Sequence, residues 1–315
     1  MVIVCPPAQF SAYHVGVANC FRQMDLTVPP PGEEVTLDMS DVTFIDPVGL
    51  VALWAWKCRV QVTCPAFTLR LPTDPDAQQY LLVMNFHDPA PRPTGVQRAM
   101  TGDGVYFPIH HLLQPGLGVV EGLAAELATA FGDHGPGTTP ALAYCFGEAI
   151  DNVFQHARSP IGAVAAAQLL PRSHGRWTQA SIADRGVGVL ESLRGSGAHT
   201  ALGSDEEALR LAIQRNITST NPYVGTYGRS RPGVGLYMIS EVCRRTGGEL
   251  LLLSGDTLLR VGRGGEIVEA VPPWPGTILT VRLSGRALDD AGDVISEIRR
   301  SLRGPAPAGL GRFED

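Results

Sequence analysis

The sequence lacks the features that would assign it to several whole classes of protein. No stretch of its 315 residues approaches the roughly 20 consecutive apolar residues of a membrane-spanning helix. The apolar N-terminus has no basic segment and no long hydrophobic core, so it is not typical of a secretory signal. There is no long Lys/Arg run, and the formal net charge is −6. These absences argue against a membrane or a nucleic acid as the main partner and favour a cytoplasmic location.

Cysteine is sparse, and its spacing is not that of a metal site. The six cysteines are scattered, with no CxxC pair and no histidine at zinc spacing. We interpret them as free thiols. The 44% hydrophobic content over 315 residues is enough for two domains with substantial cores.

The hydrophobic pattern divides the chain into four segments. Residues 1–87 alternate strand and helix signals in a βαβαβα order. Residues 88–104 are rich in Pro, Gly and charge and are predicted to be a linker. Residues 105–285 give a second domain of helices and strands, and residues 286–315 a C-terminal helix with a Gly/Pro tail. The predicted fold class is therefore α/β, or α+β, in two domains.

Three local signals predict where elements begin and end. Ser11 is the predicted start of the first helix, in SAYHVGVANCFRQM. Ser204 and Glu207 form a predicted capping box before the helix EEALRLAIQR. The stretches ELLLLSG, TLLRVG, EIVEAV and GTILTVRL are predicted as four separate strands.

Polar residues recur every four positions in GEAIDNVFQHA, residues 147–157. On a helix this spacing places Glu148, Asn152 and His156 on one side. An Asn oxygen is a ligand that suits Mg²⁺, and a carboxylate one turn earlier can remove a proton from a bound hydroxyl or water. The same residues could equally be the solvated face of an amphipathic helix, and the spacing alone leaves both interpretations open.

Three further motifs follow in order. SIADRGVGV is a strand that runs into Asp184 and a turn, although Asp-x-Gly is also common turn chemistry. RPGVGLYMI places Gly233 and Gly235 before a helix, where free backbone N–H groups can meet phosphate oxygens. GTILTVRL is a late strand that opens with Gly276 and Thr277.

The four motifs together resemble the GHKL family of ATP-binding domains, and within it the branch of anti-sigma factors and serine kinases. GEAIDNVFQHA resembles the N box, ADRGVGV the G1 box, PGVGL the G2 box, and the Gly-Thr pair the G3 position. The resemblance covers about residues 115–285 and implies a Bergerat-type α/β sandwich that binds ATP and Mg²⁺.

The resemblance also implies roles for individual residues in the N and G1 boxes. Asn152 would hold the metal ion, and Glu148 would act as the catalytic base. Asp184 would accept a hydrogen bond from the adenine amine, and Gly186 and Gly188 would let the backbone turn beneath the base. His156 is expected only to support this arrangement.

The remaining roles concern the phosphates and the loop that would cover them. Gly233, Val234, Gly235 and Leu236 would contact the phosphates in the G2 box. Residues 189–232 would form an ATP lid, in which Arg229 and Arg231 could pair with the terminal phosphate. Thr277 would lie beside the adenine.

The N-terminal block resembles the STAS domain of anti-sigma-factor antagonists. The stretch VTLDMSDVTFIDPVGLVALWAWKCR has the strand, turn and helix in which that family carries its phosphorylated serine. Here the turn reads Asp46-Pro47-Val48-Gly49, and Pro47 has no hydroxyl to phosphorylate. The block is therefore expected to be a docking or regulatory module, or else an α/β domain of similar topology without a signalling role.

Two functions follow as expectations. The first is a protein that binds Mg-ATP and phosphorylates a STAS-domain antagonist or sequesters a sigma factor, with a homodimer expected because this branch often dimerises. The second is a nucleotide-switched interaction module without turnover. An ATP hydrolase with dimerising lids is less favoured, because the transducer domains of such proteins are absent from the sequence.

Overall fold

A computed structural model describes most of the chain. The described residues are 1–12, 16–87, 99–101, 104–114, 118–129, 131, 138–169, 177–197, 199–215, 217 and 234–303. The fold is mixed α/β with helices and several sheets, as the sequence predicts at this coarse level. No helix in the described part of the chain is long and apolar enough to cross a membrane.

The first 87 residues form two small parallel sheets around a central helix. Their strands are β1 (Val2–Val4), β2 (Gln9–Phe10), β3 (Val35–Asp38), β4 (Phe44–Ile45) and β5 (Phe67–Arg70). Their helices are α1 (Val17–Arg22), α2 (Pro47–Thr63) and α3 (Pro75–Val83). Strand β3 lies between β1 and β5 in one sheet, and β2 pairs with β4 in the other.

The rest of the chain builds one six-stranded antiparallel sheet with helices on one face. Its strands are β6 (Ala99–Thr101), β7 (Gly104–Leu112), β8 (Ala163–Leu169), β9 (Trp177–Ala183), β10 (Glu249–Gly262) and β11 (Gly265–Ser284), in the order β10-β11-β9-β8-β7-β6. Its helices are α4 (Val119–Thr129), α5 (Thr138–Asn152), α6 (Gly188–Gly195), α7 (Asp205–Ala212), α8 (Gly235–Thr246) and α9 (Gly285–Arg303). A π-helical turn, Val153–Ala157, extends α5.

Both faces of the six-stranded sheet are apolar, and each belongs to a different core. Along β8 the residues alternate, so that Ala163 and Ala165 pack with the helices while Val164 and Ala166 pack with the N-terminal block. The small side chains of β8 let backbone elements lie close on both faces. The two segments predicted as separate domains therefore share the hydrophobic core on the face of the sheet opposite the helices.

Helix α2 lies in the middle of that shared core. Its residues from Pro47 to Lys57 are buried on every side of the helix, as expected for a helix that is apolar all round. It packs against β8, β9 and β11 on one side. On another side the Trp56 ring meets the Phe67 ring of β5 edge-on, with 6.1 Å between centroids. The N-terminal block is thus a cover for the sheet face opposite the helices.

The buried carboxylate of Asp46 fixes the start of α2. It accepts hydrogen bonds from the Val48 and Gly49 N–H groups at the helix N-terminus, at 3.0 and 3.4 Å. It also accepts one from the Ser11 hydroxyl and one from the Ala12 N–H, at 3.0 and 2.8 Å. Ser11 is therefore a partner of Asp46, and the prediction that it begins the first helix was wrong, because α1 begins at Val17.

Other local predictions differ from the structure in instructive ways. Residues 99–101 and 104 lie in the predicted linker but pair as strand. The four strands predicted after α8 form two long strands, β10 and β11. In β10 the bulge at Gly255 lets the strand continue through a bend instead of ending there. The Ser204 cap on α7 is confirmed, but its Glu207 accepts from the Gly203 N–H. The tail, residues 304–315, lies outside the described residues.

Replacing Asp46 with Ala should lower the free energy of unfolding by about 2–4 kcal/mol. The change removes a helix cap and also leaves the Ala12 N–H without its acceptor in the interior. Asp46→Asn, which keeps one acceptor oxygen, should lose less. Urea denaturation measures both variants. A loss below about 1 kcal/mol for the alanine variant would contradict this role.

Candidate functional site

A cavity opens on the helix-covered face of the six-stranded sheet. The space in it that is open to the centre of a water-sized sphere is about 110 Å³. Its walls come from α5, the π-helical turn, the end of β9, and helices α6 and α8. Seven predicted site residues lie in this lining: Glu148, Asn152, Asp184, Gly188, Gly235, Leu236 and Thr277.

The row of polar residues on α5 faces this cavity. Glu148 and Asn152 are half-buried and line it. His156 lines it too, although only a supporting place was expected for it. The π-helical turn explains this, since its wider turn rotates His156 back toward the row instead of letting it drift around the helix. Burial lowers the pKa of His156, which favours the neutral imidazole.

Gly235 brings the start of α8 against α5. It is the first residue of α8, and a Cβ atom at this position would overlap the Cβ of Glu148. Only glycine allows the two backbones to approach this closely. Val234, which precedes it, is buried at the helix N-terminus. The first N–H groups of α8 therefore lie beside Glu148.

Asp184 directly follows β9 on the other side of the cavity. Its side chain is 2% exposed, and its Oδ1 accepts the Gly186 N–H at 2.7 Å. Gly186 has no room for a side chain, because a Cβ would overlap the carbonyl oxygen of Ala157. That same carbonyl accepts the Val187 N–H at 2.8 Å, which ties this turn to the end of the π-helical segment.

Burial raises the pKa of Asp184 to about 7. Hydrogen bonds from Gly186 and Thr277 and the positive charge of Arg185 act in the opposite direction but do not offset the desolvation. The carboxyl group thus changes between a hydrogen-bond donor and a pure acceptor near neutral pH. A raised carboxyl pKa in a cavity is typical of a functional position.

Strand β11 holds Asp184 from the side. The Asp184 N–H donates to the Thr277 carbonyl at 2.9 Å. Gly276 has φ of +109°, and a Cβ there would contact Asp184, so this position needs glycine. Ser254 of β10 donates to the Gly276 carbonyl at 2.8 Å and accepts the Val189 N–H at 2.9 Å. It thereby connects β10, β11 and the start of α6.

Part of the predicted lid forms two helices that border the cavity. The sequence predicts residues 190–232 to be loop-rich around one short helix, but α6 (Gly188–Gly195) adds a second helix. Glu266 of β11 joins α7 and α8. Its carboxylate accepts a hydrogen bond from Arg210 of α7 and another, at 2.5 Å, from Arg244 of α8. Arg229, Arg231 and Gly233 lie outside the described residues.

Sequence reasoning missed the apolar lining of the cavity. Val189 and Leu193 of α6, Leu252 of β10 and Leu279 of β11 all contribute to it. The signal for α6 was present in GVLESLRG, whose apolar residues recur at helical spacing, but its position between two glycine-rich turns obscured it. An apolar floor with a few polar groups at its edges fits a flat, largely apolar ring with polar substituents.

The donor set at Glu148 and Asn152 fits one kind of metal ion. No group of three or more His, Cys, Asp or Glu side chains able to hold a metal occurs in the described parts of the chain. A single amide oxygen with a neighbouring carboxylate suits Mg²⁺, which keeps several waters and takes further oxygens from phosphates. A metal that needs a cage of protein ligands does not fit these residues.

Comparisons with known proteins add no assignment. No protein-family model matches the chain, and no curated protein is found as a relative.

Gly235→Ala should lower the free energy of unfolding by about 1–3 kcal/mol, because the added methyl group would overlap Glu148. Gly122→Ala is the matched control: this helical glycine in α4 has nothing within 4 Å of an added Cβ, so the change should stabilise by about 1 kcal/mol. Chemical denaturation measures both. Equal effects of the two substitutions would rule out the close contact.

Asp184→Asn should remove a pH dependence of stability. Because the folded-state pKa is raised to about 7, the contribution of this group to the free energy of unfolding is fully present below its ordinary pKa of 3.8 and is lost as pH rises through about 7. The wild-type free energy of unfolding, relative to the variant, should therefore fall by about 2 kcal/mol between about pH 5 and 8. Urea denaturation at the two pH values measures it.

Asp25→Asn is the control for this measurement, since Asp25 is exposed and its pKa is lowered by hydrogen bonds from Thr27. This variant should show nearly the same change in the free energy of unfolding between the two pH values as the wild type. A wild type and an Asp184→Asn variant that respond alike to pH would show that Asp184 titrates normally.

Proposed function

We propose that the chain is an ATP-binding regulatory protein of the GHKL type, in the branch of anti-sigma factors and serine kinases. In this proposal it binds Mg-ATP in the cavity and phosphorylates a serine or threonine of a STAS-like partner protein, or sequesters a sigma factor. A homodimer remains a prediction from the resemblance.

The observation that carries the proposal is the convergence of separate sequence segments on one cavity. Residues from α5, from the turn after β9, from the start of α8 and from β11 are far apart in sequence but line the same space. The glycines of these segments are where backbones come too close for a side chain. This arrangement supports a common role for all four motifs.

The chemistry follows from the residues. The Asp184 carboxylate, when ionised, accepts a hydrogen bond from an exocyclic amine, with Thr277 beside it. The first N–H groups of α8 meet phosphate oxygens. Asn152 would hold Mg²⁺, which supplies charge stabilisation for the phosphates.

In the transfer step, the oxygen of the partner's hydroxyl group forms a bond to the γ-phosphorus. The bond from that phosphorus to the bridging oxygen breaks, and ADP leaves. Glu148 takes the hydroxyl proton.

The N-terminal block resembles a STAS domain, and we propose that it is a regulatory module and not a substrate. Pro47 has no hydroxyl, and it is buried in the first turn of α2. That turn lies in the core on the sheet face opposite the cavity. In this proposal the phosphorylated residue therefore belongs to a separate STAS-like partner and not to this turn.

A nucleotide-switched module without turnover is the second candidate. The core shared by the N-terminal block and the sheet favours it, because a change in the cavity can act on the covering block through one packed layer. The two candidates differ in whether Glu148 is needed for chemistry.

Glu148→Gln should separate them. If the chain is a kinase, the variant should bind Mg-ATP with nearly wild-type affinity but transfer phosphate at least about 100-fold more slowly, because it has lost the base. The assay combines calorimetry with transfer of labelled γ-phosphate to a STAS-domain protein that has serine where this chain has Pro47.

Glu121→Gln, on α4 and outside the cavity lining, is the matched control and should leave both quantities unchanged. Transfer at wild-type rate by the Glu148→Gln variant would exclude Glu148 as the base. Mg-ATP binding without any transfer by the wild type would favour the switch. If the wild type bound no Mg-ATP at all, the proposal as a whole would fall.

A further inference from the structure

The peptide group of Asp184 is held by a side chain that none of the motifs includes. Its carbonyl oxygen accepts a hydrogen bond from the indole N–H of Trp274, at 3.2 Å. Trp274 is 1% exposed and lies in β11, just before the Gly276-Thr277 pair that contacts Asp184 from the side. The indole therefore fixes the position of the residue that faces the cavity.

The same indole carries the guanidinium of Arg185 on its face. The Arg185 Cζ lies 4.3 Å from the ring centroid, in a cation–π contact. The Arg185 side chain is buried, and its Nη2 donates to the Leu26 carbonyl at 3.2 Å. Its Nε and Nη1 have no hydrogen-bond partner in the described part of the chain. A buried cation with so few partners depends strongly on the two contacts that it has.

Those contacts reach into the N-terminal block. Leu26 follows α1, and the Phe21 ring of α1 meets the Trp274 ring edge-on, with 5.8 Å between centroids. Arg22 of the same helix donates to the Ala270 carbonyl of β11. One continuous set of contacts thus runs from the stretch that follows α1, residues 23–28 (the Leu26 segment), through Arg185 and Trp274 to Asp184.

We infer that Arg185 and Trp274 are positioning residues for Asp184, and that through them the Leu26 segment of the N-terminal block and the nucleotide cavity control each other. The inference rests on the proposed function. It adds that nucleotide affinity depends on how α1 and the Leu26 segment are docked, and that nucleotide binding in turn stabilises this docking, since such coupling is reciprocal. A partner that binds the N-terminal block near α1 would then alter nucleotide binding.

The two residues should act differently, which distinguishes positioning from a general loss of stability. Trp274→Phe keeps an aromatic face but removes the N–H, so the affinity for Mg-ATP should fall about tenfold at every pH. Arg185→Gln removes the positive charge beside Asp184, where Arg185 is the charged group that lowers the carboxyl pKa. In that variant the loss of affinity on acidification should therefore begin at a higher pH.

Calorimetry with Mg-ATP between about pH 5.5 and 8.5, a range that spans the Asp184 pKa of about 7, tests both variants. Trp177→Phe is the matched control. Trp177 also lies over an arginine, with Arg282 5.3 Å from its ring, but at the opposite end of β9 from Asp184. It should leave both the affinity and its pH dependence unchanged.

Hydrogen–deuterium exchange on the wild type provides a second test that does not depend on the variants folding. Mg-ATP should slow amide exchange in residues 20–28, on the sheet face opposite the cavity. Unchanged exchange there, or a Trp274→Phe variant that binds as the wild type does, would overturn this inference while leaving nucleotide binding intact. A wild type that binds no Mg-ATP would instead overturn the proposed function and this inference with it.

Discussion

The six-stranded sheet has two apolar faces, and most of the structure follows from the need to cover both. Alternate residues of β8 and β9 belong to separate cores, one under the helices and one under the N-terminal block. A sheet with one face left in water would expose Val164, Ala183 and Leu251. The N-terminal block is therefore required for the stability of the domain that forms the cavity, whatever else it does.

That several distant residues meet at one cavity could be predicted from the sequence, whereas much of the scaffold between them could not. Glu148, Asn152, Asp184 and Thr277 could be assigned to one site because each stands in a motif whose order along the chain is informative. The bend at Gly255 could not, because whether a glycine ends a strand or bulges it depends on its partner strand. Likewise, serine is a residue type that often caps helices, but the Ser11 hydroxyl donates a hydrogen bond to the carboxylate of Asp46, 35 positions away.

The close contacts give physical meaning to the glycines of the motifs. At Gly186 the missing side chain leaves room for a carbonyl at the end of the π-helical turn, and at Gly235 it leaves room for the side chain of Glu148. These two positions are set by what lies against them, whereas Gly188, with φ of +78°, is also set by its own backbone conformation. Such distinctions depend on tertiary packing, so a sequence pattern can mark the positions without explaining them.

The central place of α2 also governs the order in which the chain can fold during its synthesis. Pro47–Thr63 leaves the ribosome long before β8, β9 and β11, the strands that cover one of its sides. Until Gly265–Ser284 has been made, an apolar helix with two buried tryptophans has no complete binding surface. The N-terminal block therefore cannot complete its packing early in synthesis, because the strands that cover α2 come later in the chain. The nascent chain needs protection from aggregation over most of its length.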